Sequence, residues 1–294
     1  MSANELKSLW KHLRIPFQLT LSPLFLLGWT LAGGARDLEA VAPAFIAFHM
    51  LLYPGITAFN SWFDRDCGPI GGLEHPPQVP RLLLPASLLL QVGGIIVALV
   101  LGEALSRIYL ILMVLSVLYS HPRTRWKANP WLSLLIVVGG QGGLGYIAGW
   151  AAARGGMLVA MPGAEGWLGG GICMAATLGM YPLTQLFQTE EDLARGDRTL
   201  CVALGPNRAL TISQAAYLVA GILAVTLAVQ HEAPVDATIA TIGFGVMISC
   251  VEALKRRLPS LSRAAVFHFV LRLSYASAAA FTLFILLRIT QWIH

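Results

Sequence analysis

Asn60 and Asp64 stand four residues apart at the end of an apolar run, and Gln188 and Asp192 repeat that spacing much later in the chain. Four residues is one turn of a helix, so each pair would share a face. Close by are Asp66 and Glu74 in the first segment and Glu190, Glu191 and Asp197 in the second, so seven of the fifteen acidic residues fall in two short stretches. Carboxylates brought together raise each other's pKa unless a cation lies between them. Mg²⁺ is suited to that place, because it takes hard oxygen ligands and is usually held by one or two carboxylates with substrate phosphates completing its shell. Two such clusters could hold a diphosphate between metal ions and stabilise the charge that develops as it leaves an allylic carbon. One acidic pair alone reads as solvated loop acids. Two matched clusters in a chain this poor in charge read as a site.

A third segment, LYSHPRTRWKANPW (118–131), carries Arg123, Arg125 and Lys127. These are the donors that a diphosphate requires.

The elements that must position these groups are membrane helices. The 294 residues are 56% hydrophobic and 12% charged, with a mean hydropathy of +0.68. A soluble domain carries about 25% charge. Apolar stretches of about 17 to 25 residues recur along the whole chain, each long enough to cross a hydrocarbon core about 30 Å thick. The expected fold is an all-α integral membrane bundle of about nine transmembrane helices, forming a single domain over 1–294. Its spans are placed at 17–34, 41–60, 82–102, 106–120, 131–152, 167–187, 208–229, 235–254 and 266–290. Residues 1–16 read as an amphipathic helix on the membrane surface, with no cleavable signal. Cys67, Cys173, Cys201 and Cys250 lack the spacing of a zinc or disulfide framework.

Of the twenty Lys and Arg, fifteen fall in segments on one side of these spans and only Arg36, Arg107, Arg154 and Arg288 on the other, with Arg272 inside the ninth span. That bias makes the side bearing both acidic loops cytoplasmic, at the inner membrane of a cell. It also accounts for the net charge of +5 by topology, with no nucleic-acid partner. Gly68, Pro69, Gly71 and Gly72 allow a reversal after Asp64, expected here as a loop that closes like a lid.

With these residues in view, the sequence resembles the UbiA-type intramembrane prenyltransferases. That family carries NDxxDxxxD near the end of its second helix and DxxxD followed by glycine near the end of its sixth. Asn60 and Asp64 match the first motif; Asp192, Gly196 and Thr199 follow the second. The stretch YSHPRTRWK is similar to the family's Tyr-Ser and basic region. Ser61, Gly68 and Gln188 depart from the pattern by standing where acids are expected, and Asp66, Glu190 and Glu191 could compensate. The resemblance implies Mg²⁺-dependent transfer of a prenyl group from its diphosphate to a hydrophobic acceptor within the membrane lipid. It implies catalytic Asn60, Asp64 and Asp192, and a metal held by these with Asp66 and Glu191. It implies substrate contacts from Arg65, Tyr119, Arg123, Arg125, Lys127, Gln188 and Arg198. A terpene cyclase of the same superfamily and a non-catalytic lipid carrier are the alternatives. Further candidates are the glycine-rich stretch 137–149, His49, Tyr53 and Gln141 as acceptor contacts, and the His268/Arg272 pair.

Overall fold

The computed structural model describes residues 2–34, 38–157 and 163–292; Arg36 lies outside them. Among the described residues the regular structure is helical, apart from one isolated bridge between Ile70 and Leu73.

Helix α1 (Ala3–Leu13) starts at a capping box, in which Ser2 and Glu5 satisfy each other's backbone N–H groups, and it turns Leu6 and Trp10 outward. This helix occupies most of the stretch 1–16. Arg14 then takes a left-handed backbone (φ 47°) and redirects the chain into α2 (Ile15–Gln18), a 3-10 turn and α3 (Ser22–Leu31). Next, α4 (Leu38–Phe45) continues through a π-helical segment, Ile46–Leu52, into α5 (Tyr53–Asp64). The antiparallel α6 (Leu83–Leu101) and α7 (Glu103–Ser120) follow, then α8 (Pro130–Leu135), a second π segment at Ile136–Leu144 and α9 (Gly145–Ala153). The remainder comprises α10 (Ala164–Leu186), the short α11 (Thr189–Arg195) and α12 (Leu200–Leu204), α13 (Pro206–Gln230), α14 (Pro234–Arg257) and α15 (Arg263–Trp292).

Seven stretches among the described residues, not nine, are both long enough and apolar enough to cross a membrane. The expected spans at 17–34 and 167–187 are the two that fall short. In the first, Pro16, Pro23 and the 3-10 turn leave only ten residues of α-helix in α3. The second, α10, has 23 residues, but its glycines together with Thr177, Thr184 and Gln185 dilute its hydropathy. Those polar side chains line an interior cavity and need no lipid compatibility.

Packing follows from residue size. Helices α3 and α9 cross so closely that a Cβ on Gly28 would meet the carbonyl of Tyr146, and one on Gly149 the carbonyl of Phe25. Small residues permit this backbone approach, which replaces the hydrophobic drive that lipid does not supply. Around the crossing, Phe25, Trp29, Phe48, Tyr109 and Tyr146 are fully buried. A second cluster, with Leu183, Tyr217, Val251 and Phe267, joins α10, α13, α14 and α15. Outward positions such as Leu89, Val100, Ile242 and Leu286 stay exposed and apolar, as a lipid-facing surface requires. The connections after α5, α7 and α10 meet at one end of the bundle, so the three charged segments are brought together.

Candidate active site

The last turn of α5 presents Asn60 and Asp64, as their spacing predicted. Ser120, ending α7, donates to Asn60 Oδ1 at 3.0 Å, and Lys127 Nζ lies 3.5 Å from the same oxygen. Lys127 also forms an ion pair with Asp64, and Arg125 stands 3.6 Å from the other Asp64 oxygen. Asp64 Oδ1 is buried without a hydrogen bond. Facing it across the site, α11 holds Asp192, whose carboxylate accepts from Thr199 Oγ1 at 3.1 Å.

Arg195 ties the two acidic loops together. It donates to Asp66 Oδ1 at 2.6 Å and to the Asp64 carbonyl at 3.3 Å, and it lies 3.5 Å from Asp192 and 3.9 Å from Asp197. Arg125 in turn binds Asp197 through two hydrogen bonds of 2.7 Å. This bidentate bond to Asp197 raises the Arg125 pKa. Four carboxylates thus face Arg125, Lys127 and Arg195. Burial pushes the Asp192 carboxyl up to about 6, against the opposing pull of Thr199 and Arg195. A fourth cation, Arg14, reaches in from the N-terminal segment and donates to the carbonyls of Thr57 and Gly71, both at 3.3 Å. Desolvation lowers it to about 10, so it remains charged at neutral pH.

The loop after Asp64 is braced, which departs from the lid expected of it. Ser8 and His12 of α1 hold the Gln78 and Pro77 carbonyls at 2.6 and 3.0 Å, and His268 meets Glu74 at 3.2 Å. Gly72 turns the chain at φ +86°, and Phe17 lies where a Cβ on Gly71 or Gly72 would go. Glu191 takes part in this bracing: it accepts from the Gly68 N–H at 2.6 Å and pairs with Arg263 at 3.3 Å. A Cβ on Gly68 would collide with the Arg263 guanidinium. A larger residue there would have to displace the Arg263 side chain from its pairing with Glu191.

These groups lie at one end of a cavity of about 970 Å³. Asn60, Asp64, Asp66, Tyr119, Lys127, Gln188 and Asp192 line it, as do Arg14, Arg195, Asp197 and Thr199. Arg125 stands one layer behind, bridging Asp64 to Asp197. Glu191 faces Gly68 and Arg263, outside the lining. Arg65, Arg123 and Arg198 are exposed and also outside it. Arg65 lies on the Trp62 ring at 5.3 Å, and Arg198 uses its backbone N–H to join the Ala128 carbonyl at 3.0 Å. Gln141 lines the cavity, whereas His49, Tyr53, His268 and Arg272 do not. His49 instead stacks on Phe45 at 4.2 Å. Below the charged end, the walls are Leu24, Leu27, Leu112, Val137, Ile172 and Phe281. Helices α14 and α15 diverge after their connecting turn, α14 packing on α13 and α15 on α3 and α10. The exposed residues Ile239, Gly243 and Val246 of α14 and Ala276 and Ala280 of α15 line the cavity there, so it opens sideways between the two helices.

The model of the UbiA prenyltransferase family matches residues 20–276. The chain belongs to that family. Among solved structures, a UbiA homolog from Archaeoglobus fulgidus bound to GPP and Mg²⁺ is similar to this family member with 17% identity and a TM-score of 0.63, over 93% of this chain and 99% of that one. The apo structure of a UbiA homolog from Aeropyrum pernix K1 also has 17% identity, with a TM-score of 0.61 over 92% and 98% of the two chains. A digeranylgeranylglyceryl phosphate synthase has 16% identity and a TM-score of 0.62 over 95% and 97%. No curated protein matches the sequence. At these identities the likeness is one of fold, and it extends over nearly the whole of each chain.

The donor set fits a divalent cation. Among the described residues, no three acidic, His or Cys groups converge closely enough to hold an ion by themselves. The Asp64 oxygen that lacks a hydrogen bond, the Asn60 amide oxygen and the buried Asp192 carboxylate offer hard ligands from two sides, with room in the cavity for phosphate oxygens. Sequence spacing found these three. Spacing does not single out Arg14 and Arg195, which read as topological charge, and gives Asp197 only a place in the second acidic cluster.

Proposed function

We propose that this protein transfers a prenyl group from a prenyl diphosphate to a hydrophobic acceptor in the membrane, releasing diphosphate. One observation carries the reading: a single cavity has carboxylates and cations at its mouth and an apolar shaft behind them. The charged end suits a diphosphate and the shaft suits its hydrocarbon tail.

Asn60, Asp64 and Asp192 would hold Mg²⁺, which when bound supplies positive charge to the leaving phosphate oxygens. Lys127 and Arg195, and Arg14 from the N-terminal segment, are placed to donate to the diphosphate. Arg125 holds Asp64 and Asp197 in position. Breaking the C1–O bond sends its electron pair to the diphosphate and leaves an allylic cation in the shaft. The acceptor forms its new bond to C1 and gives up a proton. Tyr119 and Tyr181, whose hydroxyls meet at 3.4 Å, border the region where the cation forms. Their π faces and phenolic oxygens can stabilise it. The acidic end is read as cytoplasmic from the bias of the basic residues.

The test is to incubate purified protein with Mg²⁺ and prenyl diphosphates of several lengths, with and without a membrane lipid extract, and to follow diphosphate and labelled lipid. Release that depends on the extract supports transfer, and the labelled product names the acceptor. A cyclised hydrocarbon formed without extract would make the protein a cyclase. Binding with no release under either condition would make it a carrier.

A further inference from the structure

The two acidic segments could hold a divalent ion each or share a single ion, and the partners of each carboxylate decide between these. Asp197 has both oxygens taken by Arg125, in hydrogen bonds of 2.7 Å, and Asp66 Oδ1 accepts from Arg195 at 2.6 Å. Both carboxylates are only 3% exposed, so each is a buried charge already matched to a guanidinium. Asp64 and Asp192 differ. Asp64 keeps an oxygen with no hydrogen bond, and Asp192 Oδ1 has Arg195 at 3.5 Å, beyond ordinary hydrogen-bond length. Both line the cavity together with Asn60. The three positions where the resemblance expects further acids add no carboxylate. Ser61 is buried and accepts from Arg14 at 3.4 Å, Gly68 backs on Arg263, and Gln188 lines the cavity as an uncharged amide.

Arg195 occupies the ground between the two segments. Its guanidinium binds Asp66 and the Asp64 carbonyl, lies 3.5 Å from Asp192 and 3.9 Å from Asp197, and lines the cavity. A second ion at Asp66 would stand beside that guanidinium, and like charges so close repel. We propose that the protein binds one divalent cation, between Asn60 and Asp64 of α5 and Asp192 of α11, and that Arg195 is a built-in second cation for the diphosphate. This rests on the reading of the cavity as a donor site. One or two carboxylates with phosphate oxygens are the usual Mg²⁺ shell, so the ligand set suffices for one ion. Arg195 Nη2 makes only the long contact to Asp192, which leaves its N–H groups for phosphate oxygens.

Mn²⁺ serves as the probe, because it takes the same hard oxygen ligands and its EPR spectrum reports whether two ions lie close together. Detergent-solubilised protein is equilibrated with Mn²⁺ and a prenyl thiolodiphosphate, whose C1–S bond stays intact, and bound manganese and analogue are measured per chain. We expect one manganese per chain with the spectrum of an isolated ion, and turnover that rises with Mg²⁺ as a simple hyperbola. Asp192→Asn should weaken Mn²⁺ binding by at least the roughly tenfold that loss of even a supporting group costs a metal site. Arg195→Gln should admit a second ion at saturating Mn²⁺, with exchange coupling between the two, whereas Arg195→Lys should keep the count at one. Two coupled ions on the wild-type protein, or analogue bound with none, would overturn the proposal whether or not any variant folds. A single ion on folded Arg195→Gln would overturn the place given to Arg195. If the wild-type protein bound neither manganese nor analogue, the donor-site reading itself would fall.

Discussion

In the proposed mechanism, Asp64 and Asp192 are the residues on which the chemistry depends most directly. Asp64→Asn or Asp192→Asn should lower diphosphate release about 100-fold or more, the scale on which loss of one charge-stabilising group is felt. Asp192 also makes a pH prediction. Its carboxyl is held at about 6, above its ordinary 3.8, so between those values the folded protein binds more protons than the unfolded chain. Stability from this group is therefore fully present at acid pH and lost as pH rises through about 6. Metal binding has the opposite sign, since it needs the ionised form. Mg²⁺ affinity should fall about tenfold per pH unit below about 6. Titrating Mg²⁺ at several pH values checks this, and Asp192→Asn should remove the slope. Spacing made Asn60, Asp64 and Asp192 legible, because a four-residue period survives in the sequence. Arg195 was not legible as a site residue, and Asp197 only as one acid of a cluster, because their partners lie in other loops.

At the scale of elements, the connection after α5 takes its shape from contacts with α1, α11 and α15. Gly68→Asp would introduce a side chain where Arg263 sits and displace Glu191. Glu191→Gln would weaken the same brace without the collision. Both should raise the donor KM several-fold while leaving the Mg²⁺ dependence unaltered, whereas loss of a metal ligand would change that dependence first. Steady-state kinetics at varied Mg²⁺ separates the two. The α3–α9 crossing predicts that Gly149→Val, which forces the helices apart, costs about 1–3 kcal/mol. A lowered thermal midpoint in detergent, with no change in donor-length preference, would show it. Hydropathy placed seven of the spans because lipid selects for it uniformly. Helices α3 and α10 fall below the length and hydropathy of the other seven because the first is broken by prolines and a 3-10 turn and the second turns glycines and polar side chains to the cavity.

The whole molecule is a helical bundle around a shaft, charged at its cytoplasmic end and open along one side. Its all-helical character was legible from composition, since only paired backbone tolerates lipid. Where the shaft runs depends on which helices diverge, and no periodicity encodes that. The sideways opening between α14 and α15 has a kinetic consequence. A molecule entering there approaches in two dimensions, through the acyl layer, and the concentration that governs its arrival is its mole fraction among lipids. Adding inert detergent or lipid at fixed bulk amounts of enzyme and acceptor should therefore slow turnover by surface dilution, with the acceptor's Michaelis constant holding steady only when written as a mole fraction. A rate that followed bulk molarity would mean that the acceptor arrives from water.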